Sequence, residues 1–171
     1  VVFDSLDGLY RGEQSFLDWR EQSYPSWTAE DTVHIAMSKT LSTNVGHLRM
    51  LRLLARLSED AGKRARYQQW ADDLEDSIAR HFWLEEEQAY SAMKLGPLAP
   101  HPLRKYDLLG QSLLMLSGVG DAQRRRAAVL GYPRLETGPP VLWPQQPLTR
   151  IYHNRGIWPF VTAYDLLAAR E

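Results

Sequence analysis

The sequence predicts an all-α fold built from helical hairpins, and two neighbouring segments support this prediction. Over residues 39–61, leucine and valine side chains recur at three- and four-residue spacings, the pattern of a helix with one apolar face. Over residues 63–82, tyrosine, tryptophan, leucine, isoleucine and phenylalanine form a similar stripe. Gly62 is expected to end the first helix, and so short a connection favours two antiparallel helices.

The rest of the chain is predicted to alternate shorter helices with long loops. Helices are expected over residues 106–117, over 122–130 with Asp121 as the N-cap, and from about Ile157 onwards. Loops are expected over residues 1–27, 85–105 (with extended backbone near 89–95) and 131–156. Long loops inside a compact domain are usually functional or disordered, and the Trp, Tyr, His and Asn in these loops favour function.

Length and composition indicate a single soluble domain over residues 1–171, in the cytoplasm or the periplasm. The net charge of -1 argues against a nucleic-acid or membrane partner, and no apolar run is long enough to span a bilayer. The lack of cysteine excludes disulfides and thiolate metal sites, and the histidines show no metal-ligand spacing, so neither a metal nor a cofactor is expected. The first and last residues suggest a fragment of a longer protein.

Two segments, residues 15–22 and 152–160, place aromatic rings beside carboxylate, amide or guanidinium groups. Rings can cover the apolar faces of a pyranose, while charged and amide groups bind its hydroxyls. The two segments lie near opposite ends of the chain. We therefore expect a carbohydrate site assembled from both ends.

The candidate catalytic groups are carboxylates, because glycoside hydrolysis usually uses one carboxyl as acid and another as base or nucleophile. Asp18 and Glu21 flank Trp19 and Arg20, where desolvation by rings would raise a carboxyl pKa. Both could equally be surface carboxylates paired with an arginine. Glu136, in the predicted loop over residues 131–156, is the candidate partner. The alternative interpretation is that Glu136 is an ordinary loop glutamate without a catalytic role.

The same residues resemble a known family. Four segments are similar to segments of bacterial six-hairpin glycosidases: Phe16 to Gln22, Leu41 to Val45, Pro144 to Gln146 and Tyr152 to Phe160. More loosely, they are similar to the glucosidase domain of glycogen debranching enzymes. Asp7-Gly8-Leu9-Tyr10 echoes a further segment of the latter. The resemblance implies an (α/α)6 toroid that hydrolyses α-glycosidic bonds, commonly with inversion.

The resemblance also implies roles for individual residues. Asp18 would be the general acid and Glu136 the base that activates water, with Glu21 as a further catalytic candidate. His153, beside Asn154, is expected to bind a sugar hydroxyl rather than act as a base. The expected substrate-binding residues are Trp19, Arg20, Trp143, Gln145, His153, Asn154 and Trp158.

Two departures from the family pattern shape the expectations. Arg155 stands where debranching enzymes usually have a small residue, which implies a different substrate. About five helices are predicted where a toroid needs twelve, so the chain is expected to be a partial toroid, with the missing N-terminal half or another copy as its partner. The alternatives are a non-catalytic carbohydrate-binding or scaffold fragment, and a helical interaction module.

Overall fold

The computed structural model describes residues 2–13, 20–97, 99–150 and 152–171, and of Arg20 and Glu21 it describes the backbone only. The helices are α1 (Arg20–Ser23), α2 (Thr32–Met37), α3 (Leu41–Leu57), α4 (Ala61–His81), α5 (Leu108–Leu116), α6 (Ala122–Leu130) and α7 (Pro159–Ala168). The strands are β1 (Val2–Asp4), β2 (Leu9–Arg11), β3 (Lys39–Thr40), β4 (Trp83–Leu84), β5 (Ala89–Tyr90), β6 (Met93–Lys94), β7 (Tyr106–Asp107) and β8 (Leu142–Trp143).

The predicted all-α fold, a partial toroid of helical hairpins, is wrong, because the chain is mixed α/β with 46% helix and 13% strand. The strands pair antiparallel as β1-β2, β3-β6, β4-β5 and β7-β8. Strands of two or three residues are too short to show the alternation that marks a strand in a sequence. In two of the pairs, moreover, the partners lie far apart in the chain, so local sequence does not reveal the pairing.

The predicted hairpin of long helices is present as α3 and α4, and its facing side chains form the larger apolar core. Leu41, Val45 and Leu48 of α3 are fully buried in one cluster with Leu74 and Ile78 of α4. The role predicted for the glycine between the helices is wrong. The first helix ends at Leu57, and Gly62 lies inside α4 because the Asp60 side chain accepts a hydrogen bond from the Lys63 amide and starts that helix.

A second core connects the C-terminal half of the chain. Helix α5 packs against both α3 and α7. Its Leu108 and Leu109 join Tyr132, Leu142 and Val161 in a buried cluster. As predicted, Asp121 caps α6 by accepting from the Arg124 amide. The last helix begins at Pro159, which is tolerated in the first turn. This core holds the two ends of the connection between α6 and α7, residues 131–158, which is called the late loop below.

The N-terminal segment predicted as a loop contains the β1-β2 hairpin, which is docked on the two long helices. Gly8, in its turn, has a φ of 70°, and a Cβ at this position would lie 2.5 Å from Ser77 Oγ of α4. The side chain of Asn44 in α3 accepts from the Tyr10 amide at 2.8 Å and donates to the Tyr10 carbonyl at 3.0 Å. An amide side chain thus completes the edge of strand β2.

A buried ionic cluster links this hairpin to β3 and β6. The Lys39 ammonium donates to Asp4 Oδ2 and Asp7 Oδ2, both at 2.7 Å, while Arg11 also binds Asp4 and Lys94 also binds Asp7. The Lys39 hydrogen bond is the largest influence on Asp4, whose pKa lies well below its usual range. Burial raises the pKa of Asp7, but the bonds from Lys39 and Lys94 together outweigh it and lower that pKa.

No helix within the described parts of the chain is both long and apolar enough to cross a membrane.

We predict that Lys39→Met lowers the free energy of unfolding by about 3 kcal/mol, because it leaves two buried carboxylates with one cationic partner each. Urea denaturation measures the change. The control is Arg104→Ala, which breaks ion pairs of a side chain that is 69% exposed and should cost less than about 1 kcal/mol. Equal losses in the two variants would contradict the structural role of the cluster.

Acid titration gives an independent check of the same cluster. A carboxyl whose pKa is lower in the folded state adds stability above its unfolded pKa of about 4, and that stability is lost as the pH falls through the folded pKa. The wild type should therefore lose more stability than Lys39→Met below about pH 4.

Candidate functional site

The structure brings the early and late segments together, as the sequence analysis expects of a site built from both ends. The side-chain amide of Gln146 donates to the carbonyl of Gln22 at 3.3 Å and to that of Tyr24 at 3.2 Å. The Asn154 amide donates to Gln22 Oε1 at 3.4 Å. These contacts cross more than 120 positions of sequence, so α1 and the late loop are adjacent in space.

Asn154 organises the late loop from inside. Its side chain is fully buried. Its Oδ1 accepts from the Gln146 amide at 2.6 Å, and its Nδ2 donates to the carbonyls of Gln146 and Thr149, both at 2.9 Å. Each polar atom of Asn154 is thus used within the protein. The predicted contact of Asn154 with a sugar stays a prediction, and its observed role is to shape the loop.

A cleft of about 730 Å³ lies beside this junction. Its described lining residues are Pro25, Ser26, Leu103, Arg104, Lys105, Pro144, Gln145, Gln146, Pro147, Leu148 and Thr149. Prolines and leucines supply the apolar surface, and no aromatic ring lines the cleft among the described residues. Gln145, a predicted substrate ligand, therefore lies in the cavity wall.

The two glutamine side chains of the cleft, Gln145 and Gln146, differ in how many hydrogen bonds they make within the protein. The side chain of Gln146 is fully employed, because its Oε1 accepts from Thr149 Oγ1 at 3.0 Å while its Nε2 bonds the two carbonyls near α1. The Gln145 amide has no hydrogen-bond partner among the described residues, so it can bind a ligand. One glutamine thus builds the wall, and its neighbour is open to the cavity.

Lys105 is a functional candidate that the sequence analysis missed. Its side chain is 8% exposed, and its ammonium donates to the Gln22 carbonyl at 3.2 Å. Burial lowers the pKa of Lys105 to about 8. The only sequence signal is its position just after the proline-rich segment, in a stretch predicted to be irregular, and nothing in that pattern distinguishes a buried lysine from a solvated one.

The predicted aromatic residues lie beside this loop. Trp143 and Trp158 are half-buried and pack against the second core. His153 is 1% exposed, and its ring centroid lies 4.5 Å from that of Tyr152 and 4.8 Å from that of Trp158. Tyr152 and Phe160, at 47% and 43% exposure, continue this row of rings to the surface. Sugar contacts by His153, Trp143 and Trp158 stay predictions.

Of the three predicted catalytic carboxylates, the structure describes the side chain of Glu136 alone. Asp18 and Trp19 lie outside the described residues, whereas Arg20 and Glu21 are placed by their backbone as the first half of α1. Glu136 is exposed at a tight turn closed by reciprocal hydrogen bonds between Leu135 and Gly138. The acid and base roles stay predictions.

Other candidate sites are less suitable. A second cavity, of about 310 Å³, lies between the N-terminal hairpin and α4 and is lined by Phe3, Tyr10, Trp70 and Asp73. None of its described lining residues is a predicted site residue, and the one carboxylate among them, Asp73, already accepts from Gln69. No cluster of three or more potential ligands for a metal ion occurs in the part of the chain that the structure describes.

Comparison with known proteins found no match to a protein-family model and none to a curated protein. The likeness to six-hairpin glycosidases therefore stays a prediction from the quoted motifs.

We predict that Asn154→Asp lowers the free energy of unfolding by about 3 kcal/mol, because a carboxylate oxygen would replace the group that donates to two carbonyls. Urea denaturation measures the loss, and limited proteolysis of the late loop reports the loosening. The matched control is Gln123→Glu, the same amide-to-acid change at an exposed position of α6, which should change stability by less than about 0.5 kcal/mol. An unchanged Asn154→Asp variant would contradict the role of Asn154.

Proposed function

We propose that this chain is a glycoside hydrolase-like domain that binds an α-linked oligosaccharide in the cleft beside α1 and the late loop. One observation carries the proposal. The Gln22 carbonyl accepts from both Lys105 and Gln146, two residues that line the cleft, so α1, which also contains Glu21, lies directly behind the cleft wall. A catalytic candidate is therefore carried by the helix that borders the cavity.

The proposed chemistry is acid–base hydrolysis by two carboxyl groups. Asp18 protonates the glycosidic oxygen as the bond to the anomeric carbon breaks, and Glu136 removes a proton from the water that attacks from the opposite face. Glu21 is the alternative general acid. An inverting reaction requires the two carboxyl groups to be about 6.5–9.5 Å apart, which leaves room for the water.

The second candidate function is carbohydrate binding without hydrolysis. It is favoured by the exposure of Glu136, because a base at a solvated turn has no cleft wall to hold it against a substrate. In this case the Gln145 amide and the cleft would bind the sugar, and no pair of carboxylates would flank the scissile bond.

We predict that Asp18→Asn reduces hydrolysis of α-linked di- and oligosaccharides by about 100-fold or more, since it removes the general acid. Glu136→Gln tests the base by the same loss, and Glu21→Gln tests the alternative general acid. The control is Glu59→Gln, the same change at an exposed position between α3 and α4, which should retain wild-type turnover. Nuclear magnetic resonance of the first-formed anomer distinguishes inversion from retention.

The outcomes separate the two candidate functions. Full turnover in Asp18→Asn would show that the acid assignment is wrong. Calorimetric binding of a sugar with no turnover by any variant, the wild type included, would favour the binding function instead.

We also propose that a further polypeptide covers one face of α3. Met50, Leu53 and Leu57 are 46%, 44% and 66% exposed there, beside Arg49 and Arg56. A twofold dimer through this face would bring these arginines together, and like charges oppose such contact. A further part of a longer protein is therefore favoured over another copy.

We predict that light scattering gives a monomer mass at all concentrations tested. A dimer that Leu57→Glu dissociates would instead identify another copy as the partner of this face.

A further inference from the structure

The charged groups that line the cleft are all cationic among the described residues. They are Arg104 and Lys105, and no described carboxylate lines the cavity. The Arg104 guanidinium is already paired, since it lies 2.7 Å from a carboxylate oxygen of Glu86 and 2.7 Å from one of Glu87. Within the described lining, the positive charge of the cleft is therefore that of Lys105.

The Lys105 ammonium is held in place with hydrogen-bonding capacity to spare. An ammonium has three donors, and among the described residues one of them is used, by the Gln22 carbonyl. A buried cation without a carboxylate is costly unless further acceptors reach it. Its backbone is fixed as well, because the Lys105 carbonyl accepts from the Ala92 amide at 2.6 Å and the Leu103 amide donates to the Met93 carbonyl at 3.0 Å.

A second cation stands at the rim of the cleft. The exposed Arg155 donates through Nη2 to the carbonyl of Pro147, a lining residue, at 3.0 Å. Its guanidinium has further donors that point to no described partner. Arg155 is therefore held beside a residue that lines the cleft, and it adds positive charge near the buried Lys105.

We propose that the cleft selects a sugar with a negatively charged substituent, whose anionic group is bound by the Lys105 ammonium. This inference rests on the proposed carbohydrate function and adds the substrate class to it. Neutral hydroxyls can be bound by neutral amides such as that of Gln145, and they do not need a buried cation. A carboxylate of a uronic acid and a phosphate ester share the chemistry that an ammonium recognises.

The test is calorimetric titration of the intact chain with two matched ligands, α-linked trigalacturonate and the neutral maltotriose. We expect the wild type to bind the acidic trisaccharide about tenfold more tightly, as hydrogen bonds to charged groups are worth more than neutral ones. Lys105→Met, which keeps a similar side-chain volume, should abolish the preference and leave the affinity for maltotriose within about twofold.

Three further measurements sharpen the result. Lys105→Arg should retain most of the preference, because it keeps the charge. Arg126→Met removes one charge from an exposed position of α6 and should change neither affinity. Glucose 6-phosphate against galacturonate shows whether a phosphate ester or a carboxylate is the preferred anion, and either preference supports the proposal.

The overturning results are distinct from one another. Equal binding of the two trisaccharides by the wild type would refute the selection of anionic sugars and leave the proposed function standing. A preference that survives in Lys105→Met would refute the role of Lys105. Inorganic phosphate bound as tightly as glucose 6-phosphate would show a simple anion site, and binding of no sugar at all would refute the proposed function and the inference together.

Discussion

The buried bridge from Lys39 to Asp4 and Asp7 is the interaction on which the arrangement of the site depends. It ties the N-terminal hairpin to β3, the strand that leads directly into α3, and through Lys94 it also ties Asp7 to β6. Strand β6 in turn pairs with the segment before Lys105, through the bond from Leu103 to Met93. A charge cluster in the N-terminal half therefore helps to position the segment 103–105, which lines the cleft.

From Lys105, a continuous series of hydrogen bonds reaches the late loop. Lys105 donates to Gln22, the amide of Gln146 donates to the same carbonyl, and Asn154 holds Gln146 from the other side. The first two links join residues more than 80 positions apart, and the third joins residues eight positions apart within the late loop. Loss of one link would therefore loosen the wall of the cavity rather than a single helix. Polar networks of this kind confer a defined geometry when every member is satisfied.

The sequence predicts the features that depend on local pattern. Helices α3 and α4 and the cap at Asp121 are confirmed, because helix periodicity and capping are expressed within a few residues. Two members of the predicted apolar stripes are not buried, since Leu57 is 66% exposed and Trp70 is 49% exposed. The extended backbone predicted near residues 89–95 is confirmed by β5 and β6. The other strands are not predicted, because two or three residues show no period and because tertiary packing sets their partners. Gly62 was assigned to the wrong helix because Asp60, two residues earlier, is the stronger boundary signal.

The candidate site shows the same division. The residue types of segments 15–22 and 152–160 predict that the two ends of the chain form one site, and the contact of Gln22 with Asn154 brings the two segments together. The burial of Lys105 is not predicted, because a lysine next to Arg104 and Tyr106 has the same local sequence whether it is exposed or buried. Its burial results from the pairing of residues 91–93 with 103–105, a contact that only the fold creates.

The three buried lysines among the described residues differ in the kind of group that accepts their hydrogen bonds. Lys39 and Lys94 donate to carboxylates, so their charges are neutralised and serve the fold. Lys105 donates to a carbonyl, which leaves its charge uncompensated by any described carboxylate at the wall of a cavity. An apolar residue of similar size would cost the fold less there. Because a local conflict with stability is expected where a group serves a ligand, the exception among the lysines supports the proposal that the cleft binds one.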